Sequence, residues 1–585
     1  MKHSIATIHI KNFRSIIDEK FILSDFTALV GYNNGGKSNI LTAIKWLLSK
    51  FTLSKEDFYD LKKTIEIVGK ISGINEKLLE KLESKHRVKI EPYIINETIL
   101  IKRKQTINSK SKDINLLISK DGIAWPPNPA GIDNAIKAIF PEPIEIKAME
   151  DAEEDCSKYK TSTTIGKLIS EVTKSIEEKY GTQLKESMNS LKEKLEFNGT
   201  QRATELNELD EKTNSKLEEL FPDVNIKIHI PTPELKEVFK GGTIKTNENS
   251  SENWRDFKAL GTGAQRAIQM ALIRQLSEEL HDSEEDISTT LLLIDEPDLY
   301  LHPQAIEQIR EALKDLSKKR FQIIFSTHSP QMIKSDDIGS TLLIRKDKEK
   351  GTYTNKTLYE AINEIEKEAP HQLQLIFSLS NSNQILFSET VLLIEGKTEL
   401  RLLPFLFEKI NGKTLGFVKC ALVPQGGVAN TKKSMEVLKV MGLPSKAIVD
   451  LDYAFKNAIK DGFEIDNKDI ILCKNIIEKI AKKENLTLDD NGLPKNKENK
   501  IPAIEVYSML SDDPDAKKPI ENIHKKLLEN NIWIWKGGSI EKHLGLNGKN
   551  ENTWAIFKDS VEKNGCEKVI NDFPEIKKVV EWILQ

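Results

Sequence analysis

At 585 residues the chain is too long for one ordinary hydrophobic core, and its length implies roughly two to four domains. Hydrophobic residues at 38% and charged residues at 30% describe a soluble, globular composition rich in surface helix, and no apolar run reaches the ~18 residues that a membrane span needs. A net charge of −4 excludes a protein that grips nucleic acid by bulk charge, so any such contact must run through local basic patches or metal ions.

The N-terminus alternates like a strand and has no signal-peptide core. The four cysteines, Cys156, Cys420, Cys473 and Cys566, are scattered and form no CxxC pair. Neither a zinc site nor a disulfide framework is indicated, and a reducing cytoplasm is the expected setting. Residues 4–10 and 20–30 read as strands, and the apolar run Phe26–Val30 stops at Gly31 as a buried parallel strand would. From Lys37 to Leu48 the apolar positions Ile40, Leu41, Ile44, Leu47 and Leu48 recur at helical spacing. Residues 63–73 and 87–107, rich in Ile and Val, read as further strands. The basic stretches at Lys102–Lys104 and Lys110–Lys112 read as solvated charged faces.

From about Thr163 to Leu220 the chain is dominated by Lys, Glu, Leu and Ser, with Leu184, Met188, Leu191 and Leu195 at spacings of three and four. This predicts a helical hairpin or short coiled-coil arm broken at Asn198-Gly199, suited to packing or dimer formation. Strands and helices alternate again over 289–346, residues 361–387 read as mainly helical, and a new strand begins at Thr390. The expected boundary lies near residue 380: a first domain over 1–375 with the helical insertion at about 160–222, and a second over 380–585. Residues 487–501 read as a surface loop or insertion.

Gly31 to Ser38 (GYNNGGKS) fits G-x-x-x-x-G-K-[ST] at every defined position, between a predicted strand and a predicted helix. The backbone N–H groups would face the phosphates, Lys37 would reach the β and γ phosphates of ATP, and the Ser38 hydroxyl would bind Mg²⁺. Downstream, Thr289–Glu296 is an apolar strand ending in two carboxylates: Asp295 would hold the Mg²⁺ shell and Glu296 would polarise the attacking water. Phe321–His328 is another strand, ending in a histidine where a γ-phosphate sensor would sit. Between them, Leu260–Arg266 (LGTGAQR) opens a helix.

These motifs together resemble the ABC ATPases of the SMC, RecF and Rad50 branch. The opening Ile10–Ser15 is similar to the start of that family, Gly31–Ser38 to its Walker A, Leu260–Gln265 to its signature, Asp295-Glu296 to its Walker B, Asp298 to its D-loop and His328 to its switch histidine. The resemblance implies nucleotide contacts from Arg14, Asn34, Gly36, Lys37, Ser38, Asn39, Gly261, Gly263, Gln265 and Asp295. The signature departs from LSGGQ, with Gly261-Thr262 in place of Ser-Gly, and no Q-loop glutamine stands out. In that family one subunit's signature completes the other's site, which implies a homodimer or higher oligomer through the ATPase domains.

The last third carries acidic residues where strands end. Glu395 follows Val391–Ile394, Glu399 opens the next helix, and Ala447–Asp452 reads as a strand ending in Asp-x-Asp, whose alternation would face Asp450 and Asp452 the same way. Carboxylates gathered at one sheet edge repel one another and are tolerable mainly around divalent cations. Two ions of Mg²⁺ or Mn²⁺, favoured by oxygen-only ligands, suit phosphodiester cleavage.

Glu395-Gly396 with Asp450-x-Asp452, and Gly426-Gly427 between them, resembles the Toprim domain. Glu399, and the position after an ATPase, narrow the resemblance to the OLD (overcoming lysogenization defect) family of ATP-dependent endonucleases, including the nuclease subunit of Gabija-type systems and retron-associated effectors. The resemblance implies an α/β chain with an ABC-type (SMC/RecF/Rad50-like) ATPase, its inserted helical arm, and a Toprim α/β domain. It implies metal ligands at Glu395, Glu399, Asp450, Asp452 and Glu541, and a cation at Lys536 that neutralises the phosphate. DNA is the implied substrate, anti-phage defence the implied setting, and a helicase-like protein or a retron reverse transcriptase with its RNA–DNA the partners left open. The alternative is a RecF/Rad50-like DNA-binding ATPase of repair with a non-cleaving Toprim part. A topoisomerase or primase would need a nucleophilic tyrosine module or polymerase partner domain, and neither is visible.

Overall fold

The structure is a computed structural model that describes residues 2–127, 131–146, 164–234, 237, 243–247, 253–279, 289–319, 321–365, 382–425, 427–495 and 500–585. The expectations for Cys156, for 366–381 and for Gly426 lie outside the described residues. By its contacts the chain divides into two units: Met1–Thr27, Gly36–Thr327 and Asp347–Thr352 form one, and Ala28–Gly35, His328–Lys346 and Tyr353–Gln585 the other.

The strands in chain order are β1 (Ser4–Phe13), β2 (Ile16–Ile22), β3 (Phe26–Val30), β4 (Ile65–Ser72), β5 (Thr98–Gln105), β6 (Leu116–Ser119) and β7 (Ile144–Ile146). After the helical arm come the short pair β8 (Lys245–Thr246) and β9 (Arg255–Asp256), then β10 (Thr290–Ile294), β11 (Phe321–Thr327), β12 (Leu342–Asp347) and β13 (Gly351–Thr354). The last four are β14 (Thr390–Ile394), β15 (Cys420–Pro424), β16 (Ser445–Val449) and β17 (Ile532–Ile534).

In the first unit β1 pairs antiparallel with both β2 and β4, β4 with β5, and β5 with β6. Each strand alternates, burying residues such as Ile8, Ile10, Ile65, Ile67, Ile99 and Ile101, about 1.5–3 kcal/mol apiece. β7, β10 and β11 are parallel, with β10 central and wholly buried, as its unbroken apolar run demands. The helix Lys37–Leu48 forms over the expected residues and buries all five expected apolar positions. The arm consists of the helices Thr164–Leu195 and Thr204–Leu220, and the expected break lies between them. A buried Arg202–Asp210 pair at 2.7 Å stands beside that break.

Two expectations here are corrected. Residues 84–93 are helical rather than extended, and a strand begins only at Thr98. Arg87 pairs with Glu91 one turn on, which favours helix, and Pro92 has no N–H to give a ladder. Arg103 is not part of a solvated face: it is 0% exposed, and its guanidinium donates to the carbonyls of Leu47 and Ile114 and to Asp133. Strand alternation turns this one cation inward between the outward-facing Lys102 and Lys104.

In the second unit β3 and β12 are parallel. A separate sheet has the order β15-β14-β16-β17, all parallel, so every strand presents its C-terminal end at one edge. Such edges are where open α/β sheets bind ligands. Leu392, Ile394, Leu402, Leu406, Ile448, Trp533, Trp535 and Trp554 fill one core beneath it. Among the described residues, no helix is long and apolar enough to cross a membrane.

Candidate nucleotide and nuclease sites

In the first unit Gly36 caps the helix Lys37–Leu48 at φ 106°, a conformation that L side chains rarely adopt, so the loop needs glycine there. Asn34, also left-handed at φ 62°, is exposed. Lys37 is buried and faces Glu296, Asp295 and Asp298; burial pulls its pKa down while those three carboxylates oppose the fall. The structure therefore brings the loop lysine and the β10 carboxylates together. Ser38 is exposed at the same helix start.

Arg14, with its backbone at φ 49°, donates to Asp57 at 2.8 Å and to Asn39 at 3.2 Å, and Asn39 donates to Ser15 at 2.8 Å. The expected contacts Arg14 and Asn39 thus form one polar network at the helix. The Ser326 hydroxyl donates to Asp295 and accepts from the Glu296 N–H at 3.0 Å. Thr327 donates to Asp298 at 2.7 Å, and His328 follows immediately after β11. Gly261 and Thr262 are exposed at the start of the helix Thr262–Glu279, and a Cβ on Gly261 would meet nothing within 4 Å. Gln265, however, turns its amide back onto the carbonyls of Leu260 at 2.9 Å and Phe257 at 3.4 Å.

Sequence reasoning missed Arg266. It is 1% exposed, and its guanidinium donates to the carbonyl oxygens of Asp295 at 3.1 Å and Glu296 at 3.0 Å. Glu296 sits at φ 49°, and the arginine fastens that strained turn to the helix behind the glycine loop. Position directly after Gln265 was the only signal.

In the second unit Tyr32 of the glycine loop hydrogen-bonds to Glu389. Arg345 lies 5.0 Å and Lys419 4.7 Å from its ring centroid, and Lys419 pairs with Glu389 at 2.6 Å. Glu389 immediately precedes β14, the strand that leads to Glu395.

At the edge of the four-stranded sheet, the pairs Ile394↔Ile448 and Val449↔Ile534 put the residues after β14, β16 and β17 side by side. Glu395 accepts the Asp450 N–H at 2.9 Å. Glu399, in the first turn of the helix Lys397–Asn411, accepts from the Trp535 indole at 3.1 Å. A Cβ at Gly396 would come within 2.9 Å of a Glu399 carboxylate oxygen, so a larger residue there would push that side chain aside. Glu541 accepts from Thr398 at 2.6 Å.

Asp450 and Asp452 depart from the expected geometry. β16 ends at Val449, and Asp452 is already in helical conformation as the N-cap of Tyr453–Lys460. The fully buried Leu451 draws the chain inward between them, so the two aspartates line a turn, not a strand face.

Burial and mutual repulsion explain the charges. Burial raises Glu395 to about 7 against the Asp450 N–H, with Asp452 and Glu399 adding to the rise. Burial also raises Glu399 to about 7, with Glu541 adding. Asp450 is raised well above the ordinary aspartate range by burial, Glu395 and Glu399, and Asp452 is raised by burial. Glu541 runs the other way: burial is outweighed by hydrogen bonds from Thr398 and Ser539 and by Lys549.

Lys536 is not at this cluster. It pairs with Glu521 at 2.8 Å and Glu575 at 3.1 Å. A cation beside the carboxylates is Lys549, 3.2 Å from Glu541 and raised by Glu541, Asp450 and Glu399 against its burial; Lys456 acts on Asp452. Lys549 lies in an irregular loop before the helix Glu551–Asn564, where no periodicity marks it.

The donor set is all oxygen, and two of its buried atoms, Asp452 Oδ1 and Glu541 Oε2, have no hydrogen-bond partner among the described residues. That fits a hard divalent cation. Among the described residues, no three His, Cys, Asp or Glu side chains close on one point as a finished cage.

A phosphate-loop motif whose lysine faces an Asp-Glu pair, in a chain that also carries an acidic parallel-sheet edge, defines an ATPase joined to a Toprim domain. Residues 1–333 match an AAA ATPase domain model, and residues 386–452 match the model described as overcoming lysogenization defect protein-like, TOPRIM domain. The Old nuclease of Escherichia phage P2 is 38% identical over 99% of both chains. The OLD nuclease of Thermus scotoductus is 22% identical, covering 77% of this chain and 82% of its own, and endonuclease GajA of Bacillus cereus is 24% identical, covering 69% and 67%. The chain belongs to the OLD nuclease family.

Proposed function

We propose that the protein is an ATP-regulated, divalent-metal-dependent DNA endonuclease and an effector of prokaryotic anti-phage defence in the cytoplasm. The observation that carries the nuclease is the crowding of Glu395, Glu399 and Asp450 at one sheet edge, where burial and repulsion hold their protons far above the ordinary carboxylate range. Such a cluster is costly for folding and finds its balance in cations. Glu395, Glu399, Asp450, Asp452 and Glu541 would hold Mg²⁺ or Mn²⁺. When bound, these ions supply charge neutralisation and a more acidic water. Lys549, rather than Lys536, would face a phosphate diester drawn to that edge, a reading supported by its contact with Glu541, and the Trp535 indole hydrogen-bonds to Glu399.

The nucleotide half has the parts for ATP hydrolysis: Lys37 for the phosphates, Ser38 and Asp295 for Mg²⁺, Glu296 for the attacking water, and His328 beyond β11. The exposed Gly261-Thr262 loop suits the γ-phosphate of a second subunit, which supports a homodimer or higher oligomer. Tyr32, held by Glu389 at the foot of β14, supports regulation of cleavage by nucleotide. We place the domain boundary at 375–380. The likeness to Gabija-type nucleases supports the defence setting; a helicase-like partner, or a reverse transcriptase with its RNA–DNA, would fit the same setting. Incubation of supercoiled, linear and single-stranded DNA with Mg²⁺ or Mn²⁺, with and without ATP, tests the proposal. Cleavage by the wild type and none by Asp450→Ala is expected; equal products from both overturn it in favour of a non-cleaving DNA-binding ATPase.

A further inference from the structure

Between Asp452 and Lys536 the second unit carries the helix Ala503–Asp512. Its Tyr507 is 1% exposed, and its ring stacks on Phe455, with centroids 5.7 Å apart and planes 18° from parallel. Phe455 lies in the first turn of the helix that Asp452 caps. The stack therefore brings the phenol alongside one of the acidic residues of the sheet edge, and Asp452 and Asp489 are the charged groups that face it.

The Tyr507 hydroxyl has no hydrogen-bond partner among the described residues, and neither has the buried Oδ1 of Asp452. A buried phenol without a partner destabilises the fold, whereas phenylalanine would keep the stacked ring and omit the penalty. Packing alone thus gives no reason for a hydroxyl here. Asp489 Oδ1 accepts the N–H groups of Asn491 and Leu493 at 2.9 Å each. Of the two carboxylates, Asp452 is the one with a buried oxygen that lacks a partner among the described residues. A donor on that oxygen favours the ionised carboxylate and leaves its other oxygen to face a cation.

We propose that Tyr507 is a positioning residue of the nuclease site: its hydroxyl donates to Asp452 Oδ1 in the metal-loaded state and fixes that carboxylate as a ligand. The inference rests on the metal-dependent nuclease proposed above. It gives the segment between the acidic turn and β17 a role in metal affinity.

The test uses the full-length protein and Tyr507→Phe. Expected are a melting temperature at or above wild type without metal, an unchanged ATPase rate, Mn²⁺ binding weakened about tenfold by calorimetry, and a kcat for DNA cleavage lowered about tenfold at fixed Mg²⁺ with KM for DNA unchanged. In an Asp452→Asn background, Tyr507→Phe is expected to cause no further loss of Mn²⁺ affinity. Mn²⁺ affinity and kcat within twofold of wild type overturn the inference, as does a lowered melting temperature with ATPase falling in parallel. An equal further loss in the Asp452→Asn background overturns it too. If wild type binds no Mn²⁺ and cuts no DNA, the nuclease proposal itself has failed; a cleaving wild type beside an unaffected Tyr507→Phe sinks this inference alone.

Discussion

Tyr32 of the glycine loop hydrogen-bonds to Glu389, six residues before Glu395 of the acidic edge on the same strand path. Lys419 grips both partners, so loop and strand foot are fixed to one another by a charged hydrogen bond and two cation–ring contacts. Glu389→Gln removes the charge that binds Lys419 while touching neither phosphate-binding residue. It is expected to leave ATP turnover near wild type and to change the ratio of cleavage with and without ATP by roughly 2- to 30-fold. An unaltered ratio would disconnect this contact from regulation.

At the nucleotide centre, Lys37→Ala is expected to abolish ATP binding, since a buried ammonium facing three carboxylates is replaced by a methyl group. Glu296→Gln keeps the turn fastened by Arg266 but removes the proposed base. ATP binding is expected to persist with turnover down about 10²–10⁴-fold, measured as phosphate release from a trapped complex. Normal turnover would move the base to another residue.

Two lysines are expected to separate function from support. Lys549→Met is expected to lower DNA cleavage per folded molecule about 10²–10³-fold, besides the stability cost of leaving the buried Glu541 without this cation. Lys536→Met strands the buried Glu575, 4% exposed, without its nearest cation, and is expected to cost about 1–3 kcal/mol of stability while cleavage per folded molecule stays near wild type. The reverse pattern in denaturation and cleavage assays would return the phosphate-facing role to Lys536.

Metal and pH are linked through the acidic edge. Between about pH 4.5 and 7 the folded protein keeps protons on Glu395 and Glu399 that the unfolded chain releases, so stability in EDTA falls as pH rises through that window. Mg²⁺ is expected to raise the melting temperature more near the upper end than near the lower. Glu395→Gln is expected to flatten the EDTA slope, and a slope identical to wild type would remove Glu395 from the titrating cluster.

What the sequence disclosed followed its local rules. GYNNGGKS between an apolar run and a 3.6-period stretch gave the helix Lys37–Leu48 over its full length. Strand ends alone located Asp295, Glu395 and Asp450, because a buried strand that stops at a carboxylate has few other places to put the charge. Non-local geometry stayed hidden. Whether Lys536 or Lys549 meets the acids depends on how the chain after β17 folds back, and neither lysine sits in a periodic pattern. Asp452 escapes strand alternation because the strand stops at Val449 and Leu451 turns into the core. The inward Arg103 had the same composition as its outward neighbours and differed only in strand parity.

The tie from Arg266 to the carbonyls of Asp295 and Glu296 makes the helix Thr262–Glu279 and the hydrolytic turn mechanically one piece. Displacing the exposed Gly261-Thr262 tip would act as a lever on Glu296, whose left-handed backbone resists accommodation. A second subunit seated on that tip would thereby set the alignment of Glu296 in the first subunit. Hydrolysis timing would then be read out within the subunit that lends its tip as well as in the one that receives it.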